Sequence, residues 1–276
     1  MMVGGRAFYK MSGSGNDFVV VDARAEPAGR LAEPATIRAI CARGTGVGAD
    51  GIVFLEHSNE GAIKLVYRNA DASPAALCGN ATLCAARLAV ELGAGKPAGF
   101  RIETEAGLVE ARILESGLPE FDFQPVRDVR TEVPGIERAP GERQAGFAIA
   151  GVPHLVILRD EVGSVDVVSR GRDLRRHAEL GSGGANVNFV APAGLGRWEI
   201  RSYERGVEGE TLACGTGAVA SAVLLNAWNL ASDHVTQLTP LGKELGVCLV
   251  KSSGSYLPSL SGEARLVFEG KLPADA

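Results

Sequence analysis

The feature that most constrains this chain is that it repeats. Displaced by 136 positions, the sequence falls onto itself without gaps in four segments. "GNDFVVV" at 15–21 lies over "GVPHLVI" at 151–157, and "GADGIVF" at 48–54 lies over "GANVNFV" at 184–190. Tyr67 lies over Tyr203, each eleven residues before a cysteine, and Cys78-Gly79 lies over Cys214-Gly215. The displacement is close to half of the 276 residues. Such a pattern implies two halves of related fold, each contributing one Cys-Gly.

Each half reads alike. Short Val/Ile-rich runs bounded by Gly, Asn and Asp predict strands: "FVVVDA", "GIVFLE", "IKLVYR", "HLVILRD", "NVNFVA" and "WEIRSYE". Each half then carries one principal apolar helix, over 79–91 and over 215–229. No charged residue occurs from 211 to 232, and a helix without a charged face is a buried one. A short helix is predicted over 34–44. The Pro/Gly/charge-rich region 115–145 reads as the crossover between halves, and the run at 264–272 as a strand returning to the first. The halves are thus drawn as 1–122 plus 264–276, carrying Cys78, and 123–263, carrying Cys214.

Bulk properties exclude several classes. The net charge is −5 and no Lys/Arg-rich run occurs, so no nucleic-acid partner is expected. No stretch reaches 18 consecutive apolar residues, so no membrane association is expected either. The N-terminus lacks the apolar core of a signal peptide, which points to a cytoplasmic protein. The five cysteines are odd in number and form no CxxC pair, and the four histidines are scattered singly. A disulfide framework is therefore not expected, nor a metal site. The "GSGNDF" run precedes a strand and not a helix, so it is no dinucleotide fingerprint.

The two Cys-Gly pairs suggest chemistry. A cysteine at a helix start meets unbonded N–H groups and the positive end of the dipole, which favour an anion and a thiolate. Pseudo-symmetry would bring both thiols to one molecule bound between the halves. Inverting a carbon with a weakly acidic proton needs a base on one face and an acid on the other, and a thiolate and a thiol supply both. Amides of Gly79, Asn80, Gly215 and Thr216 suit the charge that develops on an amino acid's carboxylate when its α-proton leaves. No cofactor is required.

The motifs "KMSGSGNDFVVVD", "GTGVGADGIVFLE", "YRNADASPAALCGN", "GVPHLVIL", "NVNFV" and "YERGVEGETLACGTGAVAS" resemble those of the diaminopimelate epimerases, and the resemblance spans essentially the whole chain. It implies an α+β fold of two pseudo-symmetric domains, each a mixed β-sheet curled around a central α-helix. It implies interconversion of LL- and meso-diaminopimelate for lysine and peptidoglycan synthesis, with a small-molecule amino-acid substrate as the partner; a homodimer is compatible with it. By the same resemblance Cys78 and Cys214 are the catalytic pair. Asn16, Asn69, Asn186 and Arg205 hold the distal end of the substrate, Glu204 and the Cys-Gly amides hold the reacting end, and His154 and Glu204 support the acid–base network. Three positions depart from the family pattern. Val152 stands where Asn is frequent, Gly51 where Gln is frequent, and the opening reads Met-Ser-Gly-Ser-Gly in place of Met-His-Gly-Leu-Gly.

Plainer readings stand beside these. Cys41, Cys84 and Cys248 read as small core hydrophobes. His154 fits a strand cap, Asn69 and Asn186 fit turns, and Glu204-Arg205 fits a solvated charge pair. Rival functions are a racemase of another amino acid on the same fold, a phenazine-type isomerase, a non-catalytic amino-acid binder, and a redox sensor closing a Cys78–Cys214 disulfide.

Overall fold

The computed structural model describes residues 5–75 and 77–273. Residues 1–4, 76 and 274–276, which the sequence assigns to the first half, lie outside the described residues. The chain forms two compact units: one runs to Phe121 and resumes at Gly262, and the other is Asp122–Ser261. No helix among the described residues is long and apolar enough to cross a membrane.

The first unit contains β1 (Arg6–Gly13), β2 (Asn16–Asp22), α1 (Pro34–Cys41), β3 (Gly51–Glu56), β4 (Ile63–Asn69), α2 (Gly79–Glu91), β5 (Phe100–Thr104), β6 (Gly107–Ile113) and β7 (Pro119–Asp122). From β1 to β6, neighbouring strands pair antiparallel, parallel, antiparallel, parallel and antiparallel. The C-terminal strand, Ala264–Leu272, pairs antiparallel with β1.

The second unit contains β8 (Arg127–Arg130), β9 (Glu142–Ala150), β10 (Val152–Arg159), α3 (Val167–Leu174), β11 (Asn186–Gly194), β12 (Arg197–Glu204), β13 (Gly209–Thr211), α4 (Gly215–Ala227), β14 (His234–Leu238), β15 (Glu244–Ser252) and β16 (Ser255–Gly262); the C-terminal strand is β17. Its ladder β9–β10–β11–β12–β14–β15 repeats the same succession of antiparallel and parallel pairs. The inferred repeat is thus a repeat of topology.

One helix lies at the centre of each sheet. Helix α2 packs on β1, β2, β3, β4, β6 and β17, and α4 packs on β8, β9, β10, β11 and β15. In α4, Val219, Val223, Leu224 and Leu225 are fully buried, each contributing about 1.5–3 kcal/mol. The outer sheet faces are covered too. Val19, Val21, Ile52 and Phe54 pack with Ile37 and Ile40 of α1. Leu155, Ile157, Val187 and Phe189 pack with Val167 and Leu174 of α3. Strands buried on both faces lose the polar/apolar alternation, which is why they read as continuous apolar runs.

Several expectations are corrected. Helix α1 stops at Cys41 and not at 44, because Ala42 is extended and the amides of Gly46, Gly48 and Ala49 take the last carbonyls. Helix α4 stops at Ala227, and Asn229 takes a φ of 59°. The region 115–145 does carry the passage between units, at 121–122, and it also contains β7, β8 and the start of β9, which the sequence reading left out. Helix α3 was not predicted: its sequence, "VVSRGRDL", carries a mid-helix glycine and three charges. That glycine is required, since a Cβ at Gly171 would lie 2.4 Å from Tyr203 Cβ. The Tyr67–Tyr203 correspondence is not structural. Tyr203 lies in the outer cluster with α3, whereas Tyr67 meets Phe18 on the inner face, with ring centroids 6.0 Å apart.

Candidate active site

In each unit the cysteine occupies the residue just before the central helix, in extended backbone: φ −117° at Cys78 and −125° at Cys214. The first intrahelical bonds are Thr82 N–H to Cys78 O and Ala218 N–H to Cys214 O, both 2.9 Å. The N–H groups of 79–81 and 215–217 therefore precede the helical ladder, and no acidic residue in either first turn competes for them. The end of β1 in the first unit and the β9–β10 turn in the second reach corresponding places. A Cβ at Gly13 would lie 2.8 Å from Asn80 O, and one at Gly151 would lie 3.8 Å from Thr216 Cγ2. Val152, which opens β10, follows directly on that second turn.

In the second unit Glu204 ends β12 on its inner face. It accepts a hydrogen bond from the Thr211 hydroxyl, and burial raises its pKa above the ordinary carboxyl value against the opposing pull of Thr211 and Cys214. Cys214 is buried and its Sγ lies 3.5 Å from the Thr216 hydroxyl. Asn186 Oδ1 accepts the Arg205 backbone N–H at 2.7 Å. The Arg205 guanidinium donates to the carbonyls of Gly183 and Gly184 at 3.3 and 3.4 Å. The loop beyond is pinned by Arg175, which with the Gly206 amide and the Tyr203 hydroxyl holds Glu208 down to about 2.

His154 is fully buried. Asn188 donates from Nδ2 to His154 Nδ1 at 3.1 Å and to Leu155 O at 3.3 Å, and accepts from the Ser202 hydroxyl at 2.8 Å. The amide is thereby oriented, so Nδ1 accepts and the ring proton sits on Nε2. Nε2 is buried without a hydrogen-bond partner among the described residues. Burial and then the Arg205 charge push the imidazole pKa down to about 3, so the ring stays neutral.

In the first unit Asn16 donates to Asp50 at 2.9 Å and accepts from Asn80 Nδ2 at 2.7 Å. Asp50 is held by Arg43 at 2.7 Å, and Arg43 and Lys10 both bond Asp17, at 2.7 and 2.6 Å. Burial would raise the Asp17 carboxyl, but these two cations hold it below its usual range. An ionic network thus fixes Asn16 at the helix start. Asn69 accepts from the Tyr67 hydroxyl at 2.9 Å and donates to Ser73 Oγ at 3.0 Å. Cys41 and Cys84 are buried core thiols, as expected, and burial pushes Cys41 up to about 11 and Cys84 further. Cys248 is only half-buried.

Of the residues singled out in the sequence, the fold gathers Asn16, Asn80 and Cys78 at one helix start, and Glu204, Thr216 and Cys214 at the other. It missed the residues that orient them, namely Asp50, Asn188, Ser202 and Thr211. For Asn188 a signal existed, since "NVN" at 186–188 puts both asparagines on one face of a strand.

The diaminopimelate epimerase family model matches residues 8–127 and 147–253. The chain belongs to this family. It is 46% identical over 275 residues to the diaminopimelate epimerase of Gemmatimonas aurantiaca, covering 96% of this chain and 99% of that one. It is 37% identical to that of Aquifex aeolicus, covering 96% and 97%. Among solved structures, a phenazine biosynthesis protein of the PhzF family from Bacillus anthracis aligns with a TM-score of 0.75 at 16% identity, over 98% of this chain and 99% of that one. A hydroxyproline epimerase from Agrobacterium vitis, with bound trans-4-hydroxy-L-proline, aligns with a TM-score of 0.71 at 17% identity, over 100% and 95%. At those identities the two structures show the fold: α+β, with mixed sheets around central helices.

Proposed function

We propose that this chain is an isomerase that inverts one α-carbon of diaminopimelate, interconverting the LL and meso forms without a cofactor, for lysine and peptidoglycan synthesis. The observation that carries the reading is the doubled site: each unit sets one cysteine at the start of its buried helix, beside helix amides that precede the ladder. Inversion asks for two proton carriers, and the two halves supply one each.

In the reaction one thiolate takes the α-proton. The C–H electron pair passes into the adjacent carboxylate system, where the amides of Gly79, Asn80, Gly215 and Thr216 stabilise the developing charge. The other cysteine gives its S–H proton to the opposite face and keeps the electron pair. In the reverse direction the roles exchange. Glu204, raised by burial, exchanges a proton with Cys214 more readily than an exposed carboxylate does. The neutral His154 offers a buried Nε2–H to negative charge. Asn16, Asn69, Asn186 and Arg205 serve the distal ammonium and carboxylate, where a guanidinium makes a two-pronged bond. A reducing, cytoplasmic setting suits a pair of working thiols.

The test is deuterium uptake at the α-carbon in heavy water, run in parallel on diaminopimelate, lysine, glutamate, proline and histidine. Diaminopimelate should exchange fastest, and Cys78→Ala and Cys214→Ala should each abolish inversion. Faster exchange with another of the five would make the chain a racemase of that amino acid. Inversion at the wild-type rate by either variant would end the two-thiol reading.

A further inference from the structure

Arg205, read above as the guanidinium for the distal carboxylate, is held by two backbone segments. The first is the stretch 181–186 that leads into β11. Asn186 Oδ1 accepts the Arg205 backbone N–H at 2.7 Å, and the carbonyls of Gly183 and Gly184 accept from its guanidinium at 3.3 and 3.4 Å. The second is the turn after β12, which closes with the Glu208 N–H on Glu204 O at 2.8 Å. Glu208 takes a φ of 56° there, and its carboxylate accepts the Gly206 N–H at 3.2 Å.

Arg175, just past the end of α3, joins the two segments. It is 8% exposed. Its carbonyl accepts the Ala185 N–H at 2.9 Å, which ties the first segment. Its side chain ties the second: Nε lies 2.8 Å from each Glu208 carboxylate oxygen, and Nη2 donates to the same carboxylate. The Tyr203 hydroxyl adds a bond to Glu208 from β12 at 3.0 Å. The Arg175 N–H bonds Gly171 O at 2.9 Å, so the link is rooted in α3, which packs on β11, β12 and β13. These bonds close a ring that runs from Arg205 through 183–185, Arg175 and Glu208 back to the turn carrying Arg205.

The Gly-Gly at 183–184 serves this ring. A Cβ at Gly183 would lie 3.3 Å from Arg205 Nη1, and one at Gly184 would lie 3.1 Å from Arg175 Nη1 and 2.2 Å from Arg175 O. Both guanidiniums thus lie against one bare stretch of backbone, where like charges repel. Their partners differ. Arg175 is neutralised by a carboxylate it grips at several points. Arg205 meets carbonyls, and no carboxylate pairs with it among the described residues. Glu208 therefore anchors the turn and also cancels the neighbouring charge, which leaves that of Arg205 for an anion. Arg175 holds the Glu208 carboxyl down to about 2, so the pair stays charged at any pH above that.

We propose that Arg175 and Glu208 are positioning residues for the reaction, a clamp that fixes from both sides the backbone carrying and cradling Arg205, so that its guanidinium meets the distal carboxylate already aligned. The proposal rests on the reading of Arg205 above, and both residues act through Arg205.

The experiment measures KM and kcat for diaminopimelate, and the melting temperature, for wild type, Arg175→Met, Arg175→Lys, Glu208→Gln, Arg205→Leu and Arg170→Met. Arg205→Leu should raise KM about 100-fold, the effect of losing a charge-assisted contact. Without the clamp Arg205 keeps its charge but loses its alignment. Arg175→Met and Glu208→Gln should therefore raise KM about tenfold with kcat changed less than about threefold, the mark of lost binding. Arg175→Lys keeps the charge but not the fork, and should raise KM only about threefold. Arg170→Met breaks another ion pair of α3, with Glu142 at 2.8 Å, and should lower the melting temperature without moving KM. Glu208 is exposed, so Glu208→Gln carries the test even if Arg175→Met fails to fold. If Glu208→Gln and the folded Arg175 variants keep the wild-type KM while Arg205→Leu loses it, the clamp is overturned and the reading of Arg205 stands. A loss confined to kcat or to melting temperature overturns the clamp as well. If Arg205→Leu keeps the wild-type KM, both fall.

Discussion

Replacing Gly217 with alanine should loosen the second half from inside. The new Cβ would lie 2.2 Å from Asn188 Oδ1, 3.1 Å from Asn188 Cγ and 3.1 Å from Cys214 Sγ. An ordinary contact requires roughly 1 Å more. Asn188 is fixed on β11, and its amide is bonded to His154, Leu155 and Ser202. It can retreat only by giving up the bonds to His154 Nδ1 and the Ser202 hydroxyl, both buried. Stranding those partners costs about 1–3 kcal/mol each, while alanine returns about 1 kcal/mol over glycine inside a helix. The net loss is about 3 kcal/mol, or a fall in Tm of about 5–10 °C. Scanning calorimetry measures it. Gly209→Ala serves as the control, because nothing lies within 4 Å of a Cβ there. If Gly217→Ala melts within a degree of wild type, the close packing of α4 on Asn188 is wrong.

Two further outcomes follow from the same site. His154 is held to about 3, against an ordinary value of 6.5. Below 6.5 the unfolded chain takes up a proton that the folded chain refuses, so the stability this buried ring contributes is lost as pH falls from 6.5 towards 3. Melting curves from pH 7 to pH 5 should accordingly fall less steeply for His154→Gln, which keeps an acceptor for Asn188; an unchanged slope would contradict the buried neutral ring. Glu204→Gln keeps a partner for Thr211 but cannot exchange a proton with Cys214, so kcat should fall about 10²-fold or more with KM little changed; a change confined to KM would make Glu204 a binding residue only.

What the sequence disclosed was governed by range. The central helices were visible because Gly79 and Gly215 each open an Ala/Leu-rich apolar run, the second without a single charge, and the doubly buried strands because burial on both faces leaves unbroken Val/Ile runs. The outer helix α3 was hidden, since its glycine serves Tyr203, a residue 32 positions further on. The Tyr67–Tyr203 coincidence misled for a related reason. Tyr67 pairs with Val53, but Tyr203 pairs with Val187, which the ungapped displacement places over Gly51. Strand register obeys the sheet face and not the residue count, so equal spacing from a cysteine did not mean an equal place. The departure at Gly51 was legible as a departure; that it makes room for the Tyr67 ring, 2.5 Å from where a Cβ at 51 would lie, requires seeing two strands side by side.

The central claim is that each cysteine handles the proton on its own face of the carbon. It is tested most directly by starting LL-diaminopimelate, and separately the meso form, in heavy water and analysing both stereoisomers by chiral chromatography and mass spectrometry at a few per cent conversion. A thiol carries one proton and exchanges it with solvent between turnovers. The account therefore predicts one deuterium at the inverted carbon of the product and none in the recovered substrate, in both directions. Equal labelling of substrate and product at early conversion would mean that one shared base works both faces, and would contradict it.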